Sequence, residues 1–458
     1  MSKLAIHSNK VIIDDSVIDA TVFIADGIIV AIENGLIKTE HLVDVEDRVL
    51  MAGIIDLHVH INEPGRTEWE GFDTATKAAI AGGITTLVDM PLNASPVTTT
   101  VKAFDEKLKS CFENVSITKN GFESLSLTSK LHTNVGFWGG LVPGNEDEIE
   151  PLIEKGVLGF KAFLTHSGID EFPNVTEEDL RKAMPIIAKH RLPLLVHCEL
   201  DSPLPWKETR GVVYMDYLAS RPKEWEDKAI AMMIGLCEEF NCRTHIVHLS
   251  SSNSIEQIAQ AKQRGLPLTV ETAQHYLYFN AEEIKDGQTQ YKCAPPIREK
   301  ANNDLLWQAL KDGIIDFVAT DHSPAPPDMK RLDDGDFMKA WGGISSIQFA
   351  LPVLWTAAKK RNCSIVDMAK WLCSNPSLLI GKENMIGKIA VGYKADLLVW
   401  DADNTFTVTE DYIHHRHNIT PYKGEQLFGV VERTYLNGDE VYSSHKFTKL
   451  NKGKILYS

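Results

Sequence analysis

The chain has 458 residues, of which 43% are hydrophobic, 24% charged and 8% aromatic. This ordinary globular composition excludes disorder, collagen and a coiled coil as descriptions of the whole chain. The formal charge of −16 at pH 7 and the lack of a basic block argue against nucleic acid and anionic membranes as partners. No apolar run reaches the ~18–20 residues of a membrane span, and seven scattered cysteines without a CxxC motif favour reduced thiols. Since the N-terminus lacks a secretory pattern, we expect a cytoplasmic protein.

Short runs of β-branched residues, separated by turn residues, occur at both ends of the chain. The runs span residues 11–13, 20–24 and 27–32 near the N-terminus and residues 395–400, 430–435 and 440–442 near the C-terminus. Asn437-Gly438, between the last two runs, is a typical hairpin turn. Both ends of the chain are therefore predicted to form β-structure.

Between these ends, apolar strand-like runs alternate with helix-length amphipathic segments. The eight runs span residues 51–57, 84–89, 135–138, 159–163, 193–196, 243–248, 267–271 and 314–319. Most are followed by a candidate helix, such as residues 177–189 and 254–263. Eight βα units predict an α/β protein with a closed (β/α)8 barrel of the TIM type. An open doubly wound sheet is the alternative, although no GxGxxG motif follows a strand.

Potential metal ligands lie at the ends of four of the predicted strands, where barrel enzymes place their active sites. His58 and His60 follow the first run, and residues two apart share one face of a strand. His197 ends the fifth run, His248 the sixth and Asp321 the eighth. Four imidazoles and a carboxylate are suitable ligands for zinc or another divalent transition metal. The pattern therefore predicts a metal site.

Two further polar residues lie within apolar runs. His245 is three residues before His248 and faces the opposite side of a strand, so we predict that it is packed or hydrogen-bonded. Burial of Lys161 in the fourth run would favour its neutral amine. That amine can add carbon dioxide and form a carbamate, an anionic ligand able to bridge two metal ions. The residues alone favour a simpler alternative, in which Lys161 reaches solvent or pairs with a glutamate.

Taken in chain order, the candidate residues resemble the cyclic amidohydrolases, a family that includes dihydroorotases, dihydropyrimidinases (hydantoinases) and allantoinases. The motif consists of His58-x-His60, Lys161, His197, His248 and Asp321. The resemblance covers nearly the whole chain, including residues 51–58 and 387–397. It implies a (β/α)8 barrel domain over residues 51–384 and a small β-sandwich domain built from both termini, residues 1–50 plus 385–458.

The resemblance also implies the cofactors. Two divalent metal ions would be bound by His58, His60, His197, His248 and Asp321 and bridged by Lys161 as N6-carboxylysine, formed with carbon dioxide. Zn²⁺ is expected, and Co²⁺, Mn²⁺ and Fe²⁺ accept the same ligands. Asp321 would also be catalytic, taking a proton from water and returning it to the leaving nitrogen of a ring amide. The family further implies a homo-oligomer, with a homotetramer expected.

Residues beside the ligands separate the branches of this family. Dihydroorotases usually carry an arginine where this chain has Asn62, and hydantoinases usually carry a tyrosine where it has His166. Four stretches instead resemble the allantoinase branch: residues 63–72, 89–93, 136–143 and 338–344. The resemblance therefore implies hydrolysis of the small molecule allantoin to allantoate. The alternatives are hydrolysis of another cyclic amide and, from a different class, a catalytically inactive scaffold that has the same fold.

Other polar residues are assigned supporting roles. Asn93, Ser323 and the segment 338–344 are predicted to contact the substrate. Glu199 is predicted to support the neighbouring His197 or to cap a helix, and His322 to support the structure. The tract with His414, His415 and His417 lies beyond the barrel in a polar segment, and we expect no catalytic or metal-binding role for it.

Overall fold

The N-terminal strands form one part of a mixed sheet. The computed structural model describes residues 4–113, 116–118, 121–123, 128–203 and 210–458. The first five strands are β1 (Leu4–Ile13), β2 (Ser16–Ala25), β3 (Ile28–Asn34), β4 (Leu42–Asp44) and β5 (Val49–Ala52). β1 pairs antiparallel with β2 and parallel with both β4 and β5. The three N-terminal runs of the sequence fall on β1, β2 and β3, as predicted.

The middle of the chain forms a closed parallel barrel. The barrel strands are β6 (Ile54–Val59), β7 (Ile84–Asp89), β12 (Asn134–Phe137), β13 (Gly139–Gly140), β14 (Phe160–Phe163), β15 (Leu194–His197), β16 (Thr244–Ile246), β17 (Leu268–Ala273) and β18 (Phe317–Ala319). Between β7 and β12 lie four short strands that are not part of the barrel: β8 (Phe112–Glu113), β9 (Ser116–Thr118), β10 (Gly121–Glu123) and β11 (Thr128–Ser129).

β12 and β13 are two parts of one barrel strand, interrupted at Trp138. In the first part of the barrel, β6 pairs in parallel with β7, and β7 pairs in parallel with β12. In the second part, β13, β14, β15, β16, β17 and β18 pair in parallel in that order. A parallel bridge between Val59 and His322 brings the eighth strand back to the first. The predicted (β/α)8 barrel is therefore confirmed.

Helices cover the outside of the barrel. They are α1 (Phe72–Ala81), α2 (Val101–Ser110), α3 (Ile149–Glu154), α4 (Glu177–Lys189), α5 (Tyr214–Ala219), α6 (Lys223–Phe240), α7 (Ile255–Gln263), α8 (Gln274–Tyr278), α9 (Lys300–Lys311), α10 (Ala350–Lys359), α11 (Ile365–Ala369) and α12 (Asn375–Leu379). The predicted helix 177–189 has the bounds of α4, since Thr176 begins it with a capping box. Among the described residues, no helix combines the length and the apolar character that crossing a membrane requires.

The C-terminal strands complete the sheet that the N-terminus begins. They are β19 (Leu397–Thr407), β20 (Gln426–Leu436), β21 (Asp439–Ser443) and β22 (Lys446–Phe447). The sheet order is β22-β21-β20-β19-β5-β1-β2-β3, with β4 on β1. Asn437 and Gly438 have φ angles of 49° and 78°, as the predicted hairpin turn requires. Apolar side chains of N-terminal and C-terminal strands share one core, including Val22, Leu50 and Val399. The prediction of a β domain built from both ends of the chain is therefore confirmed.

The chain passes from the sheet into the barrel at Gly53. The run predicted at 51–57 is split there, because Met51 pairs with β19 of the sheet whereas Ile54 begins the first barrel strand. A Cβ atom at Gly53 would lie 2.2 Å from Oγ1 of Thr85, so no side chain fits at the crossing. The domain bounds 1–50 plus 385–458 and 51–384 stay a prediction.

The last residues return to the barrel. Ile455 bridges Val135 of β12 in parallel. The Val135 N–H donates to the Lys454 carbonyl at 2.9 Å, and the Leu456 N–H donates to the Val135 carbonyl at 2.8 Å.

All seven cysteines of the chain are free thiols, as predicted.

Candidate active site

Three of the predicted ligands converge where the first and last barrel strands meet. Nε2 of His58 lies 3.3 Å from Oδ1 of Asp321, and Nε2 of His60 lies 3.8 Å from the same oxygen. His58, His60 and Asp321 each offer one ligand atom, and these atoms all lie within 4.8 Å of one another. All three residues are buried. This group has the spacing and the donor atoms of a divalent metal site.

A second pair of imidazoles lies beside this group. Nδ1 of His197 and Nε2 of His248 are 2.9 Å apart, and the rings of His58 and His248 have centroids 5.3 Å apart. Burial lowers the pKa of His197 to about 4 and the pKa of His248 well below its ordinary value. Both rings are therefore neutral at pH 7 and have a nitrogen lone pair available for a metal ion.

Lys161, on β14, is fully buried. Its Nζ has no hydrogen-bond partner among the described residues and lies 4.9 Å from the centre of the Phe163 ring. Burial lowers the pKa of the amine to about 8. The simpler alternative from the sequence was that Lys161 reaches solvent or pairs with a glutamate. Among the described residues Lys161 does neither. A buried amine without a partner fits the carbamate that the resemblance implies.

Asp321 lies on the segment that follows β18. Burial raises the pKa of its carboxyl group above the ordinary value. The residue has a φ angle of 44°, in the left-handed region. A carboxyl group whose pKa is raised toward neutrality is suited to accept a proton and return it within one reaction.

Glu271, which lies within the seventh barrel strand β17, contacts two of the histidines. One carboxylate oxygen lies 2.5 Å from Nδ1 of His58, and the other lies 3.2 Å from Nε2 of His245. Burial opposes its ionisation, but His58 and His245 lower the pKa of Glu271 below the ordinary value. The sequence reasoning missed this role, although an acidic residue at the end of the predicted run 267–271 was the available signal. His245 is fully buried and also contacts Thr269, as predicted.

Glu199 supports His197, as predicted. Its Oε2 lies 2.7 Å from Nε2 of His197, and the same carboxylate accepts hydrogen bonds from the Arg221 guanidinium. Burial raises the pKa of Glu199, but the charge of Arg221 and the His197 contact together lower it to about 2. His197 therefore has Nε2 occupied by a permanent carboxylate and Nδ1 directed toward His248.

His322 supports the structure, as predicted, because its Nδ1 accepts a hydrogen bond from the Ser346 N–H at 2.9 Å. Its ring centroid lies 5.8 Å from that of His415. His415 is buried, so the predicted polar character does not hold for the whole tract. Nε2 of His417 donates to the Glu68 carbonyl at 2.7 Å, and His414 packs against Phe447.

The four histidines and Asp321 open onto one cavity of about 770 Å³. Asn93, Ser323 and Trp341 line this cavity, so the structure brings the predicted substrate contacts together with the ligands. Nδ2 of Asn93 lies 3.3 Å from Nδ1 of His60, and its buried Oδ1 has no partner among the described residues. A buried amide oxygen at the cavity wall is a suitable acceptor for an N–H group of a ligand.

The two positions that separate the branches of the family lie in different surroundings. The side chain of His166 lines the cavity and is 61% exposed. Asn62 is fully buried, and neither polar atom of its side chain has a partner among the described residues. Ala294 also lines the cavity.

Comparisons with known proteins agree with this geometry. The amidohydrolase family profile matches residues 49–441, and the chain belongs to the amidohydrolase family. Within that family, the chain is 45% identical to the allantoinase of Streptomyces avermitilis, over 99% of this chain and 98% of the other. It is 41% identical to the allantoinase of Arabidopsis thaliana, over 96% and 88%. Among solved structures, the L-hydantoinase (dihydropyrimidinase) from Arthrobacter aurescens superimposes with a TM-score of 0.88 at 26% identity and covers both chains fully.

Proposed function

We propose that this protein is an allantoinase, which hydrolyses the cyclic amide of allantoin to allantoate in purine degradation. The observation that carries the proposal is a nearly full-length likeness to allantoinases of 41–45% identity, in a chain whose buried histidines and Asp321 open onto one cavity. The likeness to the L-hydantoinase makes a hydantoin the second candidate ring, and dihydroorotate the third.

The residues of the site fit a pair of divalent metal ions. His58, His60 and Asp321 would hold one ion, and His197 and His248 the other, with Lys161 as N6-carboxylysine between them. Zn²⁺ is the ion that we propose, and carbon dioxide supplies the carbamate. When bound, such ions polarise a carbonyl group and bring the pKa of water close to neutrality.

The side chains of the cavity perform the proton transfers. Asp321 accepts one proton as the water oxygen forms a bond to the ring carbonyl carbon. As the bond between this carbon and the ring nitrogen breaks, Asp321 returns the proton to that nitrogen. Water is thereby consumed, its second proton is released to solvent, and the ring opens to a carboxylate and a ureido group. Asn93 and Ser323 line the cavity where they can bind the ureido and hydantoin groups.

A direct assay tests the substrate. Purified protein should turn over allantoin faster than hydantoin, dihydrouracil or dihydroorotate. For dihydroorotate we expect this because Asn62 stands where dihydroorotases usually carry the arginine that can bind the substrate carboxylate. Strong turnover of dihydroorotate without turnover of allantoin would overturn the proposal. Elemental analysis tests the inactive-scaffold alternative, which requires that the purified protein lack stoichiometric metal.

The assembly and location of the protein are part of the same proposal. We propose a homotetramer in the cytoplasm, acting on a small molecule without nucleic acid or membrane partners. Sedimentation equilibrium measures the first of these directly: a monomeric mass at micromolar concentration would contradict the homotetramer.

A further inference from the structure

One wall of the cavity is formed by residues 338–344, here called the Trp341 loop. Met338, Ala340, Trp341 and Gly342 of this loop line the cavity. The loop contains no helix or strand that would provide partners for its carbonyl groups. Its backbone must therefore be fixed by other groups if the wall is to keep one shape.

Lys330 provides two of these contacts from behind the loop and makes a third to the carbonyl of Lys292. Its side chain is buried, and its Nζ donates to the carbonyls of Gly343 at 2.7 Å, Trp341 at 3.0 Å and Lys292 at 3.2 Å. Among the described residues no carboxylate forms an ion pair with it. All three ammonium hydrogens are thus used on main-chain carbonyls.

Lys292, which itself lines the cavity, provides two more contacts to the loop. Its Nζ donates to the carbonyls of Ala340 at 2.6 Å and Met338 at 3.2 Å. The ammonium group also lies 5.0 Å from the centre of the Tyr217 ring, whose hydroxyl group donates to the Cys293 carbonyl. The Lys292 carbonyl is itself held by Lys330, so the two lysines form one connected support.

We infer that Lys330 and Lys292 are positioning residues, which set the conformation of the Trp341 loop and thereby the affinity of the cavity for substrate. Together the two ammonium groups hold the carbonyls of residues 338, 340, 341 and 343. Each such hydrogen bond to a charged donor is stronger than one between neutral groups. Burial lowers the pKa of Lys330 to about 7, and the carbonyl contacts oppose this effect because they stabilise the charged form.

The side chain that this support positions is that of Trp341. The main-chain N–H of Trp341 donates to the Met329 carbonyl at 2.8 Å, and the indole ring packs edge-on against Trp69 with ring centroids 4.9 Å apart. The loop therefore places a large aromatic ring at the cavity wall. Loss of either ammonium group would leave buried carbonyls unpaired and release this ring from its position.

The test compares Lys330→Met and Lys292→Met with Lys359→Met as the matched control. Lys359 also donates to a main-chain carbonyl, that of Ala402, and lies 4.5 Å from the Phe428 ring, but it forms an ion pair with Asp403 at 2.8 Å and does not line the cavity. Because the inference rests on the proposed function, KM and kcat for allantoin are measured with metal content and with the ¹⁹F NMR spectrum of 5-fluorotryptophan-labelled protein. Trp341→Phe assigns the Trp341 resonance.

We expect Lys330→Met and Lys292→Met each to raise KM by about tenfold or more, because each loses hydrogen bonds from a charged donor. The value of kcat should stay within about threefold of wild type. Metal content should be unchanged, and the Trp341 resonance should shift or broaden in both. An unchanged KM and resonance, or equal effects in Lys359→Met, would overturn the inference. If Lys330→Met does not fold, Lys292→Met carries the test, because Lys330 then stays in place. If the wild type does not turn over allantoin, the proposed function fails, while the Trp341 resonance still decides the role of the lysines.

Discussion

Lys161 is buried on barrel strand β14, and its amine has no hydrogen-bond partner among the described residues. An isolated ammonium group in such surroundings is strongly disfavoured. The proposed carbamate would change this balance, because it would replace an unpaired cation by an anion that can serve as a metal ligand.

Lys161→Ala should remove tightly bound metal and lower turnover by about 100-fold or more, since the ions generate the nucleophile. A short-chain carboxylic acid with added metal should restore part of the activity. Protein prepared in ¹³C-bicarbonate should show a carbamate resonance in the wild type and not in the variant. Lys107→Met is the control, because Lys107 is also buried but forms an ion pair with Asp89 at 2.6 Å. Wild-type metal content and turnover in Lys161→Ala would contradict the bridge.

Glu271 offers a second test at this scale. Glu271→Gln keeps the shape of the side chain but removes the charge that faces His58 and His245, so metal affinity should fall by about 10- to 100-fold. Titration of metal-free protein with Zn²⁺, followed by activity, measures this loss, and excess metal should restore turnover. Glu256→Gln on the exposed surface of α7 is the control. Equal affinity in both variants would show that Glu271 has only a packing role.

The limits of sequence reasoning are clearest at single residues. The convergence of the five predicted ligands on one cavity could be predicted, because each follows an apolar run and strand ends of a barrel meet at one face. These residues are His58, His60, His197, His248 and Asp321. Glu271 stands in an equivalent position, but its role depends on His58, which is 213 residues away in the chain. Lys330 could not be predicted at all, because its partners are main-chain carbonyls that leave no pattern in the sequence.

At the scale of elements, the pattern of apolar residues and the positions of turn residues predicted which segments form strands. Where each strand ends depends on local backbone geometry. The run predicted at 243–248 is shortened to β16, because the chain leaves the strand before His248, whose φ angle is 38°. The run at 51–57 crosses Gly53, and the sequence does not show that its two halves belong to different sheets. Helix α4 was predicted with its observed bounds because its first turn is capped locally.

Thr176 provides a test of that local capping. Its Oγ1 accepts a hydrogen bond from the Asp179 N–H, and the Asp179 carboxylate accepts one from the Thr176 N–H. Thr176→Ala should lower the free energy of unfolding by about 1 kcal/mol, measured as a lower Tm with unchanged kcat/KM. Thr176→Ser keeps the hydroxyl group and should retain most of the stability. Equal Tm values for Thr176→Ala and wild type would contradict the assignment.

At the scale of the whole molecule, one sheet joins both ends of the chain, and His7 links three of its strands. Nδ1 of His7 lies 2.7 Å from Asp44 on β4, and Nε2 lies 2.8 Å from Asp19 on β2. Burial lowers the pKa of His7, but the two carboxylates outweigh this effect and raise it above the ordinary value. The protonated ring therefore stabilises the folded state.

The pH dependence of this contribution follows from its sign. Because the folded-state pKa of His7 is raised, the stabilisation is fully present below the unfolded-state pKa of about 6.5 and is lost as the pH rises through the folded-state pKa. His7→Gln should therefore lower Tm at pH 5.5 and have a smaller effect at pH 9. The effect should be about 1 kcal/mol or less, since Asp19 and Asp44 face solvent. A Tm deficit of His7→Gln that grows with pH would contradict the pairing.

The place of β5 between β1 and β19 has a consequence for biosynthesis. β5 ends at Ala52, whereas its partner β19 begins at Leu397. At 5–20 residues per second the ribosome needs roughly 20 to 70 s to make the intervening chain. During that interval β5 is an unpaired apolar edge, which is open to pairing with other nascent chains. The last strands of the polypeptide thus protect the first, and a ribosome that stalls within the barrel releases a chain prone to aggregation.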